Sequence, residues 1–223
     1  MAGYRNWVAR EKAIIDYIES SQPDVILLQE VHFDPMVSPF DQAATTNNKL
    51  GKPYEFCHSS ISRFYTDREG KSRREGLASL SRWPVVRSET LALTKHPDDK
   101  HFRIIQTITV KAPDLSLEIM NVHFSNNDHS REHLEEVYGI AANHEQWPLI
   151  IGDFNIFQLS DYHALYEKAY NVSSDFKNYV SFPSEKLTLD YLLLPKTFRF
   201  QAIDVKESLS DHNATLYTIE SIK

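Results

Sequence analysis

The sequence predicts a mixed α/β sandwich built as a single domain over residues 1–223. Two observations lead to this expectation. Short apolar segments of strand length recur along the chain, and they are separated by amphipathic helix-like segments and by long polar loops. No internal repeat, linker or shift in composition divides the 223 residues, which are enough to bury one sizeable core. The irregular spacing favours a mixed sheet over a purely parallel one.

The first predicted element is a helix over residues 6–20, where apolar residues recur at helical spacing and Pro23 closes the segment. The next segment, Asp24–Glu30, is apolar until it ends in two polar residues, and it predicts a buried strand. Residues 31–60 are polar and punctuated by prolines, so we expect a long connection with one short helix.

The later strands are predicted from further apolar runs. These runs are Leu77–Ser81, Ile104–Lys111, Leu117–Phe124, Leu149–Gly152, Leu189–Leu194 and Ala214–Ile219. Ser130 is the expected N-cap of a helix between the runs Leu117–Phe124 and Leu149–Gly152, and another helix is expected to begin at Ser160.

Composition and charge exclude several classes of protein. The single cysteine, Cys57, excludes an intrachain disulfide framework and any site built from several cysteines. The apolar runs are too short to span a bilayer, and the first residues lack the apolar core of a secretory signal. We therefore expect a cytoplasmic protein and a monomer, although a mature secreted form would have the same sequence. The net charge of −7 argues against tight, sequence-independent binding of nucleic acid.

Polar residues fall at or just beyond the ends of apolar runs. They are Glu30, His123, Asp153, Asn155 and the pair Asp211-His212. Strand ends meet at one rim of a sheet, where α/β folds place their chemistry. Each residue alone also fits an ordinary role: a solvated strand end, a structural histidine or a polar turn.

Two of these segments suggest specific chemistry. In Gly152-Asp153-Phe154-Asn155 a carboxylate and an amide project together, which suits the orientation of a water molecule beside phosphorus. Asp190 lies inside an apolar strand and needs a partner, for which a histidine such as His212 on a neighbouring strand is suitable. Asp211 would then face a divalent cation.

Taken together and in this order, the motifs resemble the endonuclease/exonuclease/phosphatase superfamily, from about residue 10 to the C-terminus. The matching motifs are Gln29-Glu30, the segment Glu75–Pro84, Asn121-Val122-His123, Gly152-Asp153-Phe154-Asn155, Leu189-Asp190-Tyr191 and Ser210-Asp211-His212. The resemblance implies a four-layered α/β sandwich, in which two mixed sheets pack face to face with helices outside. It also implies hydrolysis of phosphoesters by water with Mg²⁺, or Mn²⁺, as cofactor.

Roles carry over from the resemblance residue by residue. It implies that Glu30 is the principal metal ligand and that Asp211 lies close to the metal. Asp153 and Asn155 would position and deprotonate the attacking water. His212, supported by Asp190, and His123 would flank the scissile phosphate, and either Asp153 or His212 would be the general base. In the deoxyribonuclease I branch a glutamate pairs with the first histidine, and Glu75 stands near the matching position.

The chain departs from the family at its start. The family opens with a strand that carries an asparagine before the first helix, whereas this chain begins almost at the helix, with Asn6 as the nearest asparagine. We expect the usual first strand to be missing, which would leave a sheet edge open. A version extended upstream by such a strand should be more stable or more active.

The substrate is predicted from one basic segment, residues 63–74, which has a local net charge of +3. A basic loop at the rim of the site, with Arg73 and Arg74 as substrate-binding residues, favours a nuclease-type phosphodiesterase acting on DNA or RNA. The same segment also fits a solvated loop. The alternatives are a phosphatase, a sphingomyelinase-like phosphodiesterase, suggested by Ser181-Phe182-Pro183-Ser184, or a catalytically impaired binding module.

Overall fold

Two layers of β-sheet pack face to face and helices cover their outer faces, as expected for the four-layered α/β sandwich. The structure is a computed structural model that describes residues 6–66, 70, 72–99, 102–126 and 129–222. The helices are α1 (Trp7–Ser21), α2 (Gln42–Lys49), α3 (Ser130–Ala141), α4 (His163–Tyr166) and α5 (Ser173–Phe176), with a 3₁₀ turn at Leu159–Tyr162. The strands are β1 (Val25–Phe33), β2 (Phe56–Thr66), β3 (Ser72–Ser81), β4 (Val85–Ala92), β5 (Ile104–Ala112), β6 (Leu115–His123), β7 (Leu149–Asp153), β8 (Tyr170–Val172), β9 (Asp190–Pro195), β10 (Phe198–Lys206) and β11 (Ala214–Ser221).

The larger layer is a six-stranded mixed sheet with the order β4-β5-β6-β7-β9-β8. Strands β6 and β7 run parallel and are joined through α3, whereas the other neighbours are antiparallel. The parallel pair brings the carboxyl ends of β6 and β7 to the same edge, where antiparallel β9 begins. This edge carries the candidate site.

The facing layer differs from the expected second mixed sheet. Among the described residues it consists of a three-stranded sheet, β1-β3-β2, and a separate pair, β10-β11, and every pairing within it is antiparallel. A cleft of about 590 Å³ lies between β1 and β11 and is lined largely by apolar residues of α1, β1 and β11. At one end this cleft reaches Glu30, Asp153, Asp211 and His212.

The packing of strand β1 explains why its residues 25–28 are all apolar. Val25 and Leu27 pack between the two sheet layers, whereas Ile26 and Leu28 pack on the other face with α1. Both faces of the strand are therefore covered, so the alternation typical of a half-exposed strand is absent. On the far side of the molecule, Leu134 and Val137 of α3 are fully buried against the six-stranded sheet.

Several elements differ from the sequence-based expectations. Strand β4 was not predicted because it is an edge strand whose side chains are almost all exposed, which removes the hydrophobic pattern. Strand β2 begins inside the expected connection 31–60 and continues through Arg63, so the expected basic loop is largely a β2–β3 hairpin. The helix expected from Ser160 is a 3₁₀ turn followed by the short α4.

The N-cap residues of two helices bear on the sequence-based expectations. His129, not Ser130, occupies the N-cap position of α3, and no side-chain cap hydrogen bond is formed there. Asn6 is the N-cap of α1, with a left-handed backbone (φ 52°).

The expectation of a missing first strand concerns residues 1–5 and whatever precedes them, which lie outside the described residues. No described helix has the length and apolarity that a membrane span requires.

Candidate active site

Three predicted residues stand in one row across neighbouring strands. His123 ends β6 and is in register with Asp153 at the end of parallel β7, and Asp153 is in register with Asp190 at the start of β9. Cα partners in adjacent strands lie about 5 Å apart, so the row follows directly from strand pairing. The ladder of hydrogen bonds, rather than any loop, fixes the spacing of these side chains.

Gly152 makes this close packing of β6 and β7 feasible. Its φ is +147°, and a Cβ at this position would lie 1.9 Å from the carbonyl oxygen of Val122 in β6. Any other residue would push the two strands apart, so the glycine before Asp153 is required by backbone approach.

Asp153 lies at the centre of the site, between the two predicted histidines. Its Oδ1 accepts a 2.9 Å hydrogen bond from the backbone N–H of Asn155. Its Oδ2 lies 3.5 Å from Nε2 of His123 and 4.0 Å from Nε2 of His212. Asn155 has a left-handed backbone (φ 50°), and its side-chain amide donates to the carbonyl of Phe124 at 3.0 Å. One carboxylate oxygen is thus fixed, and the other faces both histidines.

Burial changes the acidity of Asp153. The residue is only 7% exposed, and burial together with the nearby Asp190 charge raises the pKa of its carboxyl group to about 7, against the opposing effect of His212. A carboxylate whose pKa lies near neutrality exchanges protons readily at physiological pH. The group is therefore suited to accept a proton from water.

His212 is held by a carboxylate. Its Nδ1 lies 2.8 Å from Oδ2 of Asp190, which accepts the hydrogen bond, and its ring contacts the ring of Phe182 in a tilted arrangement, with the two centroids 4.8 Å apart. Burial alone would lower the pKa of His212. The hydrogen bond to Asp190 and the charges of Asp190, Asp153 and Asp211 outweigh burial and raise the pKa to about 9. His212 is therefore an imidazolium at neutral pH.

His123 is held by a cation instead. Its Nδ1 lies 2.9 Å from Nη1 of Arg103, the residue just before β5, and both side chains belong to residues that are 6% exposed. Sequence reasoning did not single out Arg103. Arg103 stands directly before an apolar strand, and the other polar residues of the site also stand at strand ends. This position could have identified Arg103 as a site residue.

Glu30 lies in a distorted part of β1. The pairing of β1 with β3 shifts register between Leu28 and Val31, and Glu30 has a left-handed backbone (φ 52°). Asn121 of β6 donates to the carbonyl of Leu28 at 3.3 Å and accepts from the side chain of Gln29 at 2.7 Å. This bulge turns Glu30 out of the normal alternation and towards the site.

Glu30 and Asp211 provide oxygen atoms suited to a hard cation. Their carboxylates lie within electrostatic range of each other and of Arg10 on α1, a second residue that the sequence did not indicate. The described residues contain no group of three or more acidic, histidine or cysteine side chains placed to ligate one ion. Two carboxylates fit Mg²⁺, which is commonly bound through one or two carboxylates and keeps several waters.

A model of the Endonuclease/Exonuclease/phosphatase family matches residues 2–212. The chain belongs to this family. Membership supports phosphoester hydrolysis as the general activity, and the order of the motifs along the chain agrees with it. No curated protein sequence matches the chain.

Solved structures of the family share the fold. An endonuclease/exonuclease/phosphatase from Beutenbergia cavernae has a TM-score of 0.74 at 21% identity, over 95% of this chain and 66% of its own. A family protein from Leptotrichia buccalis has a TM-score of 0.75 at 17% identity, over 97% and 94%. D. rerio TDP2, solved in complex with a single-strand DNA product, has a TM-score of 0.70 at 15% identity, over 97% and 94%. The mixed α/β fold expected from the motifs is therefore confirmed.

The pairing of Glu75 with His123, which the deoxyribonuclease I branch suggested, is not found. Glu75 is 3% exposed, bonds to Arg63 at 2.5 Å and lies 3.6 Å from His32. The reason is the sheet register: Glu75 of β3 faces Arg63 of β2 on one side and His32 of β1 on the other. These neighbours belong to the facing layer, whereas His123 belongs to the six-stranded sheet.

Arg73 and Arg74 have partners within the protein. Arg73 forms an ion pair with Asp34, whose side chain is 2% exposed. Arg74 is exposed, and its guanidinium lies over the rings of Phe33 at 5.1 Å and Phe64 at 5.5 Å. Their predicted contact with substrate stays a prediction, and for Arg73 it would compete with an existing ion pair.

Proposed function

We propose that this chain is a divalent-metal-dependent phosphodiesterase of the nuclease type, in which Asp153 activates the attacking water. The observation that carries the proposal is the convergence of two histidine Nε2 atoms on one carboxylate oxygen, at 3.5 and 4.0 Å. A phosphate placed before these groups would meet a proton acceptor and two proton-bearing nitrogens. This is the combination that displacement at phosphorus by water requires.

Asp153 is the proposed general base. Its pKa of about 7 allows it to accept a proton from water at neutral pH, and the backbone N–H of Asn155 keeps the carboxylate oriented. Asn155 would contact the phosphate from the same turn. The raised pKa of His212 makes that residue a poor base, since it already carries its second proton.

His212 and His123 would bind the phosphate oxygens. An imidazolium at His212 would counter the negative charge that builds up on these oxygens, and Asp190 keeps it charged and oriented. His123 would donate a hydrogen bond from the opposite side of Asp153. The two residues therefore supply charge and direction without moving during the reaction.

Glu30 and Asp211 would hold Mg²⁺ or Mn²⁺. Both donors are carboxylates, which these hard ions prefer. When bound, such an ion neutralises phosphate charge and lowers the pKa of bound water. Arg10, which is within electrostatic range of both carboxylates, limits their mutual repulsion when the chain is folded.

Nucleic acid is the proposed substrate class, and the complex of TDP2 with a single-strand DNA product supports it. One observation favours a second candidate, a phosphatase or sphingomyelinase-like phosphodiesterase acting on a compact head group. Of the three described arginines in the basic segment, Arg63 and Arg73 are paired with buried carboxylates and Arg74 covers two aromatic rings, so this segment offers less free positive charge than its sequence indicated.

A metal-dependence and substrate panel tests the proposal. The purified chain is assayed with Mg²⁺, with Mn²⁺ and with excess chelator on single-stranded DNA, RNA, sphingomyelin, an inositol phosphate and an aryl phosphodiester. We expect metal-dependent hydrolysis of DNA and of the aryl ester, abolished by Asp153→Asn. The control Asp114→Asn changes an exposed aspartate in the β5–β6 turn and should be fully active. Full activity in chelator would refute the metal requirement, and silence on every substrate would favour a binding module.

A further inference from the structure

Arg103 makes an unusual contact for a catalytic histidine. Its Nη1 lies 2.9 Å from Nδ1 of His123, and the residue is 6% exposed. The backbone carbonyl of Arg103 accepts a 2.9 Å hydrogen bond from Leu93, which anchors the residue beside β4. The guanidinium also lies within electrostatic range of Glu75, Asp153 and Glu30. It is therefore a buried cation placed among three carboxylates and directed at one imidazole nitrogen.

The direction of this hydrogen bond follows from the chemistry of the two groups. A guanidinium carries five N–H donors and no acceptor, and it does not lose its proton in proteins. The Arg103 N–H must therefore donate to His123, and Nδ1 must be the unprotonated, accepting nitrogen. The remaining ring proton then lies on Nε2, the atom 3.5 Å from Asp153. An imidazolium at His123 would instead place an N–H against the guanidinium.

We propose that Arg103 is a positioning residue that holds His123 as the neutral Nε2–H tautomer, so that His123 acts as a fixed hydrogen-bond donor and does not exchange protons during turnover. The catalytic role that this proposal gives to His123 rests on the proposed phosphodiesterase function. The assignment of the proton depends only on the Arg103–His123 contact.

A purely structural role for Arg103 makes a different prediction. If the guanidinium served only to neutralise Glu75 and Glu30, any cation nearby would suffice, and the proton on His123 would be free to occupy either nitrogen. A positioning role requires the Nδ1 contact itself. The ring proton of His123 is therefore the quantity to measure.

Nuclear magnetic resonance of the whole chain with ¹⁵N-labelled histidine provides that measurement. The His123 resonances are assigned by their loss in His123→Gln. We expect Nδ1 to show the shift of an unprotonated nitrogen and Nε2 that of a protonated one, unchanged as pH is lowered through about 6.5, where a free imidazole titrates. A proton on Nδ1, or titration near 6.5, would overturn the proposal.

Two variants test whether a donor at position 103 sets the proton position on His123. Arg103→Met removes the donor while keeping a long side chain, so His123 should populate both tautomers and titrate near its ordinary pKa. Arg103→Lys keeps a donor and should restore the wild-type resonances. Arg87→Met, at an exposed arginine of β4 that pairs with Glu89, serves as the control. If Arg103→Met does not fold, the wild-type and Arg103→Lys spectra still decide the outcome.

Kinetic measurements then test whether the Arg103–His123 contact contributes to catalysis. Arg103→Met should lower kcat by up to roughly tenfold at neutral pH, because part of the His123 population no longer carries the donor at Nε2. Its activity relative to wild type at the same pH should recover as pH falls, because a doubly protonated imidazole again carries Nε2–H, while protonation of Asp153 lowers the activity of both proteins. Unchanged kcat in this variant would overturn the positioning role. If the wild-type chain hydrolyses no phosphoester, the proposed function fails, while the resonances still report the tautomer.

Discussion

His212 and His123 approach the same oxygen of Asp153 from opposite sides, yet they are supported by groups of opposite charge. A carboxylate, Asp190, holds Nδ1 of His212, whereas a guanidinium, Arg103, holds Nδ1 of His123. The first arrangement stabilises the imidazolium, and the second stabilises the neutral ring. The difference indicates that two histidines in one site are prepared for different protonation states by the partner of Nδ1.

The largest expected effect separates the charged histidine from the metal-binding carboxylate. His212→Ala should lower turnover by roughly a hundredfold or more while leaving the affinity for Mg²⁺ nearly unchanged, because it removes transition-state charge stabilisation. Glu30→Ala should weaken Mg²⁺ binding directly. Metal titrations of activity and calorimetry on both variants check this, with Asp114→Asn as the control. Equal metal affinity in wild type and Glu30→Ala would refute the ligand assignment.

A smaller effect is expected when each histidine is replaced by glutamine. A glutamine amide is neutral and can donate a hydrogen bond from about the position of Nε2. His123→Gln should therefore retain part of the function, with roughly a tenfold loss in kcat, while His212→Gln should lose nearly as much as His212→Ala. Comparing kcat for the pair at one saturating metal concentration checks this. Equal losses would mean that the two histidines are not distinguished by charge.

The pH profile sharpens the comparison further. Asp153 must be ionised to accept a proton, and its pKa is raised to about 7, so kcat/KM should rise with pH through about 7. His212 must be protonated, and its pKa is raised to about 9, so activity should fall above about 9. Asp190→Asn removes a charge that raises both pKa values, so both limbs should move to lower pH. A falling limb that stays in place would exclude His212 as its source.

Much of the site was accessible from the sequence because its residues stand at strand ends. Asp153 and Asn155 follow an apolar run directly, and Asp190 is the one acidic residue in another, so each was found from its local pattern. Arg103 was not, because its role depends on a pairing between β5 and β6 that brings it to His123. Glu75 was misassigned for the same reason: its partners are set by the register of β3.

The family resemblance also implied four layers, but the strands that lack a local apolar run were not predicted. Residues 25–28 of β1 form a continuous apolar run, which predicts a buried strand, because both faces of this part of the strand are covered. Edge strand β4 and the polar β2 gave none, because their exposed positions are free to be polar. Burial, rather than strand propensity, therefore decided which elements could be predicted.

The smallest effect on activity is expected from the arginines of the β2–β3 hairpin, which contrast with Arg103 in having partners outside the catalytic row. Arg74→Ala should leave the hydrolysis of DNA and of an aryl phosphodiester nearly unchanged. Each arginine that contacts a phosphate steepens the fall of DNA affinity with salt. Because Arg74 lies over two aromatic rings, we expect its removal to leave that slope unchanged. Arg73→Ala should instead lower stability by about 3 kcal/mol, because it removes a cation that forms an ion pair with the buried Asp34. Thermal unfolding and activity at two salt concentrations, measured on both single variants, check these expectations. A flattened salt slope on DNA in Arg74→Ala, with stability unchanged, would show that the hairpin contacts the nucleic-acid backbone and that its arginines are available after all.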